Sequence, residues 1–138
     1  MAGYSETPLV KKLGIKNDFR VGVVNPPKGF PRELGNLPSG VNISIARLPK
    51  PLDLIILFAD SRRTLKLQFS KLAQRLTANG SLWIAWPKKA SAVATDLSDN
   101  SVREIGLAAG LVDVKVCAIN DIWSGLKFVY RIQDRAQR

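Results

Sequence analysis

The sequence has no histidine and only one cysteine, Cys117, among its 138 residues. Without histidine, the usual acid–base group of catalysis near neutral pH is missing, and a cysteine nucleophile has no imidazole to activate it. The sequence also lacks a cysteine–histidine cluster for zinc. One cysteine cannot form an internal disulfide, which agrees with a reducing compartment. The sequence therefore predicts no metal site and gives enzymatic catalysis little support.

Long hydrophobic segments are missing too. The longest apolar run, Leu52–Ala59, is interrupted by Asp53 and is far shorter than the roughly 20 residues that a membrane helix needs. The first residues, MAGYSETPLVKK, contain no apolar stretch of the signal-peptide type. We therefore expect a cytoplasmic protein that does not interact with a membrane.

Acidic residues are few relative to basic ones. The 21 Lys and Arg residues against 11 Asp and Glu give a formal net charge of +10. Residues 1–69 contain 11 of the basic residues and residues 70–138 contain 10, so the charge is spread over the folded surface rather than held in a tail. This surface favours a small anionic molecule, an acidic protein or a nucleic acid as partner. A charge that serves only solubility explains the same composition.

Hydrophobic periodicity predicts alternating strands and helices in one α/β domain that spans residues 1–138. The predicted strands are RVGVVN (20–25), VNISIA (41–46), LDLIILFA (52–59), SLWIAW (81–86), VDVKVCAI (112–119) and LKFVYRI (126–132). The predicted helices are LVKKL (9–13) after a Thr7 cap, Phe30–Leu34, a helix from Asp60 or Ser61 to Asn79-Gly80 with Leu65, Phe69, Leu72 and Leu76 in its apolar stripe, and one from Ser98 or Asp99 to Gly110.

This order predicts a Rossmann-like fold: a mostly parallel sheet, helices on both faces and a C-terminal antiparallel hairpin whose link contains Trp123, Ser124 and Gly125. Only Arg47–Pro51, with two prolines, connects the second and third strands, which is too short for a crossover helix. The strand VNISIA therefore runs antiparallel, or its connection crosses in an extended form. The sequence leaves that direction open.

Basic and polar side chains follow the strands at the carboxyl ends, where open parallel sheets bind ligands. These candidate ligand-binding residues are Lys28, Arg62, Arg63, Lys88, Lys89, Ser91, Thr95 and Asp96. Trp123 is a further candidate for an exposed partner contact, and the alternative is that it packs back on the sheet. Cations, hydroxyls and the helix N-terminus near Ser98 would suit a phosphate or carboxylate. The alternative is that Pro87 ends a strand and the lysines are the first solvated residues. Asp60 and Asp96 stand where helix caps are expected, so we assign no catalytic residue.

From Leu52 onward, the order of strand, helix, strand, helix and hairpin resembles the second half of a class I S-adenosylmethionine-dependent methyltransferase. LGIKNDFRVGVVN is similar to the approach to the first strand of those enzymes. The resemblance implies a glycine-rich turn after the first strand and an acidic residue at the end of the second. Asn25–Gly29, with two prolines, and Ala46-Arg47 stand there instead. Because proline lacks an N–H donor and fixes φ, and no carboxylate is present, we expect no bound cofactor.

Five segments, which together span nearly the whole chain, resemble the bacterial family known as domain of unknown function 3052. They are YSETPLVKKLGIK, WPKKAS, TDLSDNSVRE, GLVDVKVCAI and WSGLKFV. The resemblance implies a methyltransferase-like sheet without an established activity. The sequence thus predicts a non-catalytic domain that binds an anionic ligand or partner at the basic strand ends. A divergent S-adenosylmethionine-dependent methyltransferase and a nucleic-acid-binding protein are the alternatives.

Overall fold

The chain forms a mixed β-sheet with helices on both faces. The computed structural model describes residues 7–45, 47–49 and 51–136. The strands in these ranges are β1 (Arg20–Val24), β2 (Asn42–Ser44), β3 (Leu52–Phe58), β4 (Leu76–Pro87), β5 (Leu111–Ala118) and β6 (Trp123–Tyr130). The helices are α1 (Leu9–Leu13), α2 (Phe30–Glu33), α3 (Arg62–Ala73), α4 (Asp99–Ala108) and α5 (Ile132–Arg135). None of these helices has the length and apolar character that crossing a membrane requires.

The strands lie in the order β2-β1-β3-β4-β6-β5. The first four are mutually parallel, whereas β6 is antiparallel to both β4 and β5. The sheet confirms the predicted Rossmann-like α/β fold with its C-terminal antiparallel hairpin. Its parallel strands place the ends of β1, β3 and β4 at one edge, which is where a ligand site is expected in this fold.

The structure settles the direction of the second strand. In β2, Ile43 pairs with Val21 of β1 in parallel register, so the extended connection is the correct alternative. The chain then passes over β1 to reach β3 without a crossover helix. Leu48 lies on β1 at Gly22, where an added Cβ would come within 2.9 Å of the leucine Cδ2. The predicted end of this strand, Ala46, lies outside the described residues.

Two apolar cores lie on the two faces of the sheet. One is formed with α3 and α4 and includes Phe69, Trp86 and Phe128, and the other lies under α1 and α2 and includes Phe30 and Trp83. The alternation of side chains along a strand explains why the two tryptophans of β4 reach different cores. The buried indole N–H of Trp83 donates to the carbonyl of Leu13 at 2.9 Å, which ties α1 to the sheet.

Several predicted boundaries were wrong. Helix α3 ends at Ala73 rather than at Asn79-Gly80, because Leu76 pairs with Leu52 and starts β4. The N-cap residue of helix α1 is Pro8 rather than Thr7. Trp123–Gly125 belong to β6, where they pair with the end of β4. The turn before them is closed by the Asn120 side-chain oxygen, which accepts from the N–H groups of Ile122 and Trp123 at 2.9 Å.

Gly106 allows α4 to pack directly on the ring of Phe128. A Cβ at this position would overlap the ring atoms Cε1 and Cζ. We expect Gly106→Ala to lower the free energy of unfolding by about 1–3 kcal/mol through overpacking. Alanine also gains about 1 kcal/mol through its better helix propensity, and we expect the overlap with the ring to outweigh this gain.

Urea unfolding of wild type and variant measures this difference. Adding Phe128→Leu to Gly106→Ala provides the control, because a smaller side chain should make the two losses less than additive. Strictly additive losses, or a Gly106→Ala variant as stable as wild type, would contradict the packing described.

Candidate functional site

The predicted basic residues lie near the carboxyl ends of the parallel strands, but they do not line a single cleft. Lys28 lines one cleft and the pair Lys88 and Lys89 lines another. Arg62 contacts the connection between β4 and α4. Arg63 is exposed and has no hydrogen-bond or ion-pair partner among residues 7–45, 47–49 and 51–136. The ligand-binding roles of these residues therefore stay predictions, now divided over separate places.

The Lys28 cleft lies between the loop after β1 and the turn before β6. Its volume is about 490 Å³, and its lining residues are Pro27, Lys28, Gly29, Glu33, Asn120, Asp121, Ile122 and Trp123. The Asn120 amide donates to both carboxylate oxygens of Glu33, at 3.0 and 3.2 Å, and so joins the two walls. Because Glu33 and Asp121 share the cleft with Lys28, its charge is mixed.

Trp123 is half-buried rather than exposed. Its ring meets Phe58 edge to face with centroids 5.1 Å apart, and Phe58 meets Phe30 in the same way at 4.6 Å. This aromatic chain lies in the core beneath α1 and α2 and reaches the Lys28 cleft at Trp123. Packing in the core therefore explains the position of the Trp123 ring, because edge-to-face aromatic pairs stabilise the folded state.

The second cleft contains Lys88 and Lys89. It has a volume of about 340 Å³ and is lined by Trp86, Lys88, Lys89, Leu97, Ser98, Asp99, Val116 and Ser124. The backbone at its rim is fixed, because the Lys88 N–H donates to the carbonyl of Ile122 at 2.7 Å. The hydroxyl of Ser91 donates to the Lys88 carbonyl at 2.7 Å and closes a short 3₁₀ turn. Ser91 thus positions the lysine pair.

Thr95 and Asp96 attach the connection after β4 to the start of α3. The Thr95 hydroxyl donates to the Asp60 carbonyl at 2.7 Å. A carboxylate oxygen of Asp96 accepts from the Arg62 N–H at 2.8 Å, and the Arg62 Nε donates to the Asp96 carbonyl at 3.3 Å. Asp96 therefore caps α3, although it is remote from that helix in sequence. This contact gives Asp96 a structural role.

Serine side chains cap the N-termini of both long helices, α3 and α4. Ser61, not Asp60, is the N-cap of α3 and accepts from the Thr64 N–H at 3.1 Å. Ser98 and Ser101 form a reciprocal capping box at α4. These side chains satisfy N–H groups that a bound anion would otherwise use, so the predicted helix-terminus contribution near Ser98 is reduced.

The loop after β1 is where the resemblance implies a cofactor. Asn25 and Gly29 have positive φ values of 55° and 84°, and Pro26 and Pro27 lie between them. In the described chain after β2, Ile45 and Arg47 are exposed and provide no carboxylate, while Ala46 lies outside the described residues. At the place where the resemblance implies an acidic residue, the described residues that directly follow β2 are therefore not acidic. Across the described ranges, no group of three or more His, Cys, Asp and Glu side chains could hold a metal ion.

A third cleft, which sequence reasoning missed, lies beside α3. It has a volume of about 500 Å³ and is lined by Val24, Asn25, Pro26, Ile45, Leu48, Gln68, Lys71, Leu72 and Arg75. One feature of the sequence could have indicated this cleft. The connection Arg47–Pro51 is too short to form a helix that would cover this part of the sheet.

The side chains of Cys117 and Lys127 lie among other lysines. Burial raises the pKa of the Cys117 thiol, and the nearby Lys12 and Lys115 oppose this effect only in part. The thiol form is thereby favoured over the nucleophilic thiolate, which agrees with a structural role. Burial also lowers the pKa of Lys127, and repulsion from Lys115 and Lys16 lowers it further.

The cap that Asp96 provides should be measurable. Asp96→Ala removes the acceptor of the Arg62 N–H, so we expect the free energy of unfolding to fall by about 1 kcal/mol. Asp96→Asn keeps an acceptor oxygen and should lose less. Chemical denaturation tests both, with the exposed Asp121→Ala as the matched control. Equal losses for Asp96→Ala and Asp121→Ala would argue against the cap.

Lys127 should weaken the fold near neutral pH, where it is charged. Its pKa is lower in the folded protein than the ordinary 10.5, so the unfolded chain binds the proton more tightly. Stability should therefore rise with pH between the folded pKa and 10.5. Lys127→Met should be more stable than wild type at pH 7, and this advantage should shrink by pH 10.5. Denaturation at several pH values tests this, with exposed Lys11→Met as control, and a constant difference would contradict it.

Solved structures of methyltransferases share this fold. A methyltransferase dependent on S-adenosylmethionine from Aquifex aeolicus is 15% identical, with 87% of this chain and 86% of that chain covered and a TM-score of 0.59. The precorrin-6y C5,15-methyltransferase of Geobacter metallireducens is 9% identical, with 89% and 86% covered and a TM-score of 0.64. The ribosomal protein L11 methylase of Lactobacillus delbrueckii subsp. bulgaricus is 12% identical, with 89% and 75% covered and a TM-score of 0.63.

No protein-family model and no curated protein matches the chain, so membership of the bacterial family of unknown function stays a prediction. At these low identities the structural likeness bears on the fold alone. The protein has a methyltransferase-like α/β fold.

Proposed function

We propose that the protein is a non-catalytic methyltransferase-like domain that binds a small anionic ligand in the cleft lined by Lys88 and Lys89. The observation that carries the proposal is a pair of cations on a backbone segment held in place before any ligand arrives. Hydrogen bonds from the Lys88 N–H and the Ser91 hydroxyl fix this segment. Neither ammonium group has an ion-pair partner in the described part of the chain. Unpaired cations on a fixed backbone segment favour a phosphate or carboxylate.

The other lining residues restrict the ligand further. Ser124 brings a hydroxyl group to the cleft, whereas the Ser98 hydroxyl is engaged in the cap of α4. Trp86, Leu97 and Val116 bring apolar surface. Asp99 also lines it and would repel a purely anionic ligand. We therefore favour a ligand that combines an anionic group with a hydrogen-bond donor, such as a hydroxyl or amino group.

Several features support a role without methyl transfer. Pro26 and Pro27 remove two N–H donors from the loop where the resemblance implies cofactor contacts, and the described residues between β2 and β3 include no carboxylate. The carboxylate of Asp96 is engaged at the α3 N-terminus. Cys117 is held as a thiol by burial.

A divergent S-adenosylmethionine-dependent methyltransferase is the second candidate. It stays a candidate because methyltransferases share the fold over most of this chain, although a shared fold does not determine the chemistry. Under this alternative, the cofactor would be held by contacts other than a glycine-rich turn and a ribose-binding acid. Nucleic-acid binding at the basic strand ends is a third proposal, and it requires affinity that falls steeply with salt.

Thermal unfolding with added ligands separates these functions. We expect phosphate and 3-phosphoglycerate to raise the melting temperature, because a ligand that binds only the folded state stabilises it. The double variant Lys88→Glu and Lys89→Glu should lose this shift. The matched control, Lys11→Glu with Arg131→Glu, makes the same charge change at exposed positions and should retain it.

Three results would reject the proposal. The first is an anion-induced shift that both double variants retain or both lose, and the second is no shift at all with either anion. The third is micromolar binding of S-adenosylmethionine or S-adenosylhomocysteine, which would favour the methyltransferase. Salt-sensitive binding of a DNA or RNA oligonucleotide, lost only in the Lys88 and Lys89 variant, would instead favour the nucleic-acid function.

A further inference from the structure

The cleft beside α3 exists because no helix connects β2 and β3. The connection crosses β1 through Leu48, whose side chain covers Gly22. On one side the cleft is bounded by the C-terminal half of α3, and on the other by the end of β1 and the start of this connection. Its volume of about 500 Å³ falls in the range of roughly 300–1,000 Å³ that is typical of small-molecule sites.

Two cations line the cleft, and none of its lining residues is acidic. Lys71 lies in the last turn of α3, and Arg75 follows just past the helix end. The Arg75 Nη1 donates to the Leu48 carbonyl at 2.6 Å, which orients the guanidinium group at the cleft wall. Within the described residues, the other guanidinium N–H groups and the Lys71 ammonium have no hydrogen-bond or ion-pair partner.

Elsewhere in the described structure, two arginines form ion pairs with carboxylates. Arg20 meets Asp53 at 3.6 Å, and Arg103 meets Asp113 at 3.0 Å. Lys71 also complements the partial negative charge at the α3 C-terminus, and Arg75 fastens the crossing connection. These structural roles use only part of the donors that the two side chains offer, since a guanidinium alone has five N–H groups.

The rest of the cleft combines apolar surface with amide groups. Val24, Leu48 and Leu72 are buried or half-buried and belong to the core on this face of the sheet. Asn25 and Gln68 add side-chain amides. An apolar surface with a few convergent polar groups is the usual composition of a small-molecule site.

We propose that this cleft binds a small organic anion. Lys71 and Arg75 would hold its phosphate or carboxylate group, and Val24, Leu48 and Leu72 would contact its apolar body. The site is separate from the one formed by Lys88 and Lys89, with which it shares no lining residue. The two sites can therefore be tested separately, and this proposal does not depend on the function proposed above.

Titration of ¹⁵N-labelled protein followed by NMR tests this site. The probes are phenyl phosphate and phenylacetate, which carry the two anionic groups on one apolar body, and phenol, which carries neither. We expect saturable shifts of the amide resonances of Asn25, Gln68 and Lys71 with an anionic probe, and none with phenol. Tighter binding of phenyl phosphate would identify a phosphate ligand, whereas tighter binding of phenylacetate would identify a carboxylate; either supports the site.

Charge reversal at Lys71 gives the sharper test. Lys71→Glu should weaken binding of the preferred probe by at least about tenfold, because it replaces a charge-assisted contact with repulsion. Lys66→Glu is the matched control, since Lys66 lies on the same helix but lines the groove toward α4. It should change the affinity less than twofold, as should Lys88→Glu with Lys89→Glu.

The proposal is overturned by an absence of saturable binding or by equal effects of Lys71→Glu and Lys66→Glu. Shifts confined to the amides around Lys88 and Lys89 would also overturn it, and would leave the proposed function standing. Shifts at Asn25 and Lys71 that survive Lys88→Glu with Lys89→Glu would support this cleft whether or not the proposed function holds.

Discussion

The short connection between β2 and β3 is the constraint on which the arrangement of this protein depends. Arg47–Pro51 is too short and too rich in proline for a helix, yet it must join two parallel strands on opposite sides of β1. It can do so only by crossing the sheet in an extended form. Gly22 gives Leu48 the room to cross, and the bond from Arg75 to the Leu48 carbonyl holds the crossing in place. The shape of the α3 face, including its cleft, follows from this solution.

The strand ends show how a methyltransferase-like fold can be combined with a different set of side chains. Where cofactor-binding loops of this fold are open, Pro26 and Pro27 remove backbone donors. Lysines and arginines line the nearby clefts instead, with Lys28, Lys71, Arg75, Lys88 and Lys89 distributed over three of them. Since fold alone does not determine chemistry, these side chains are what supports anion binding as the proposed function.

The sequence predicted the fold well because the fold is largely encoded in local patterns. The buried runs of β3 and β4 and the apolar stripe of α3 are visible in any short window. The direction of β2 is not visible in such a window, because it is decided only by the pairing of β2 with β1. The end of α3 was also predicted wrongly, because Leu76 continues the apolar spacing of the helix. In the structure Leu76 begins β4 and pairs with Leu52 of β3, a residue well upstream in the sequence.

The candidate site was less predictable because it depends on contacts between distant segments. The sequence places Asp96 beside α4, but folding brings it to the α3 N-terminus, where it caps Arg62. The sequence also suggests that the basic residues share one site at the strand ends. In the structure, Lys28 lines one cleft and the pair Lys88 and Lys89 lines another. Lys71 and Arg75 look like ordinary surface cations until the crossing connection is placed beside them.

We propose that the strand ends bind an anion rather than a nucleoside cofactor. The most direct test is crystallisation with both phosphate and S-adenosylhomocysteine. We expect electron density for phosphate next to the ammonium groups of Lys88 and Lys89, and none for a nucleoside against Asn25–Gly29. A well-defined nucleoside packed along that loop, with the lysine pair free of phosphate, would contradict it.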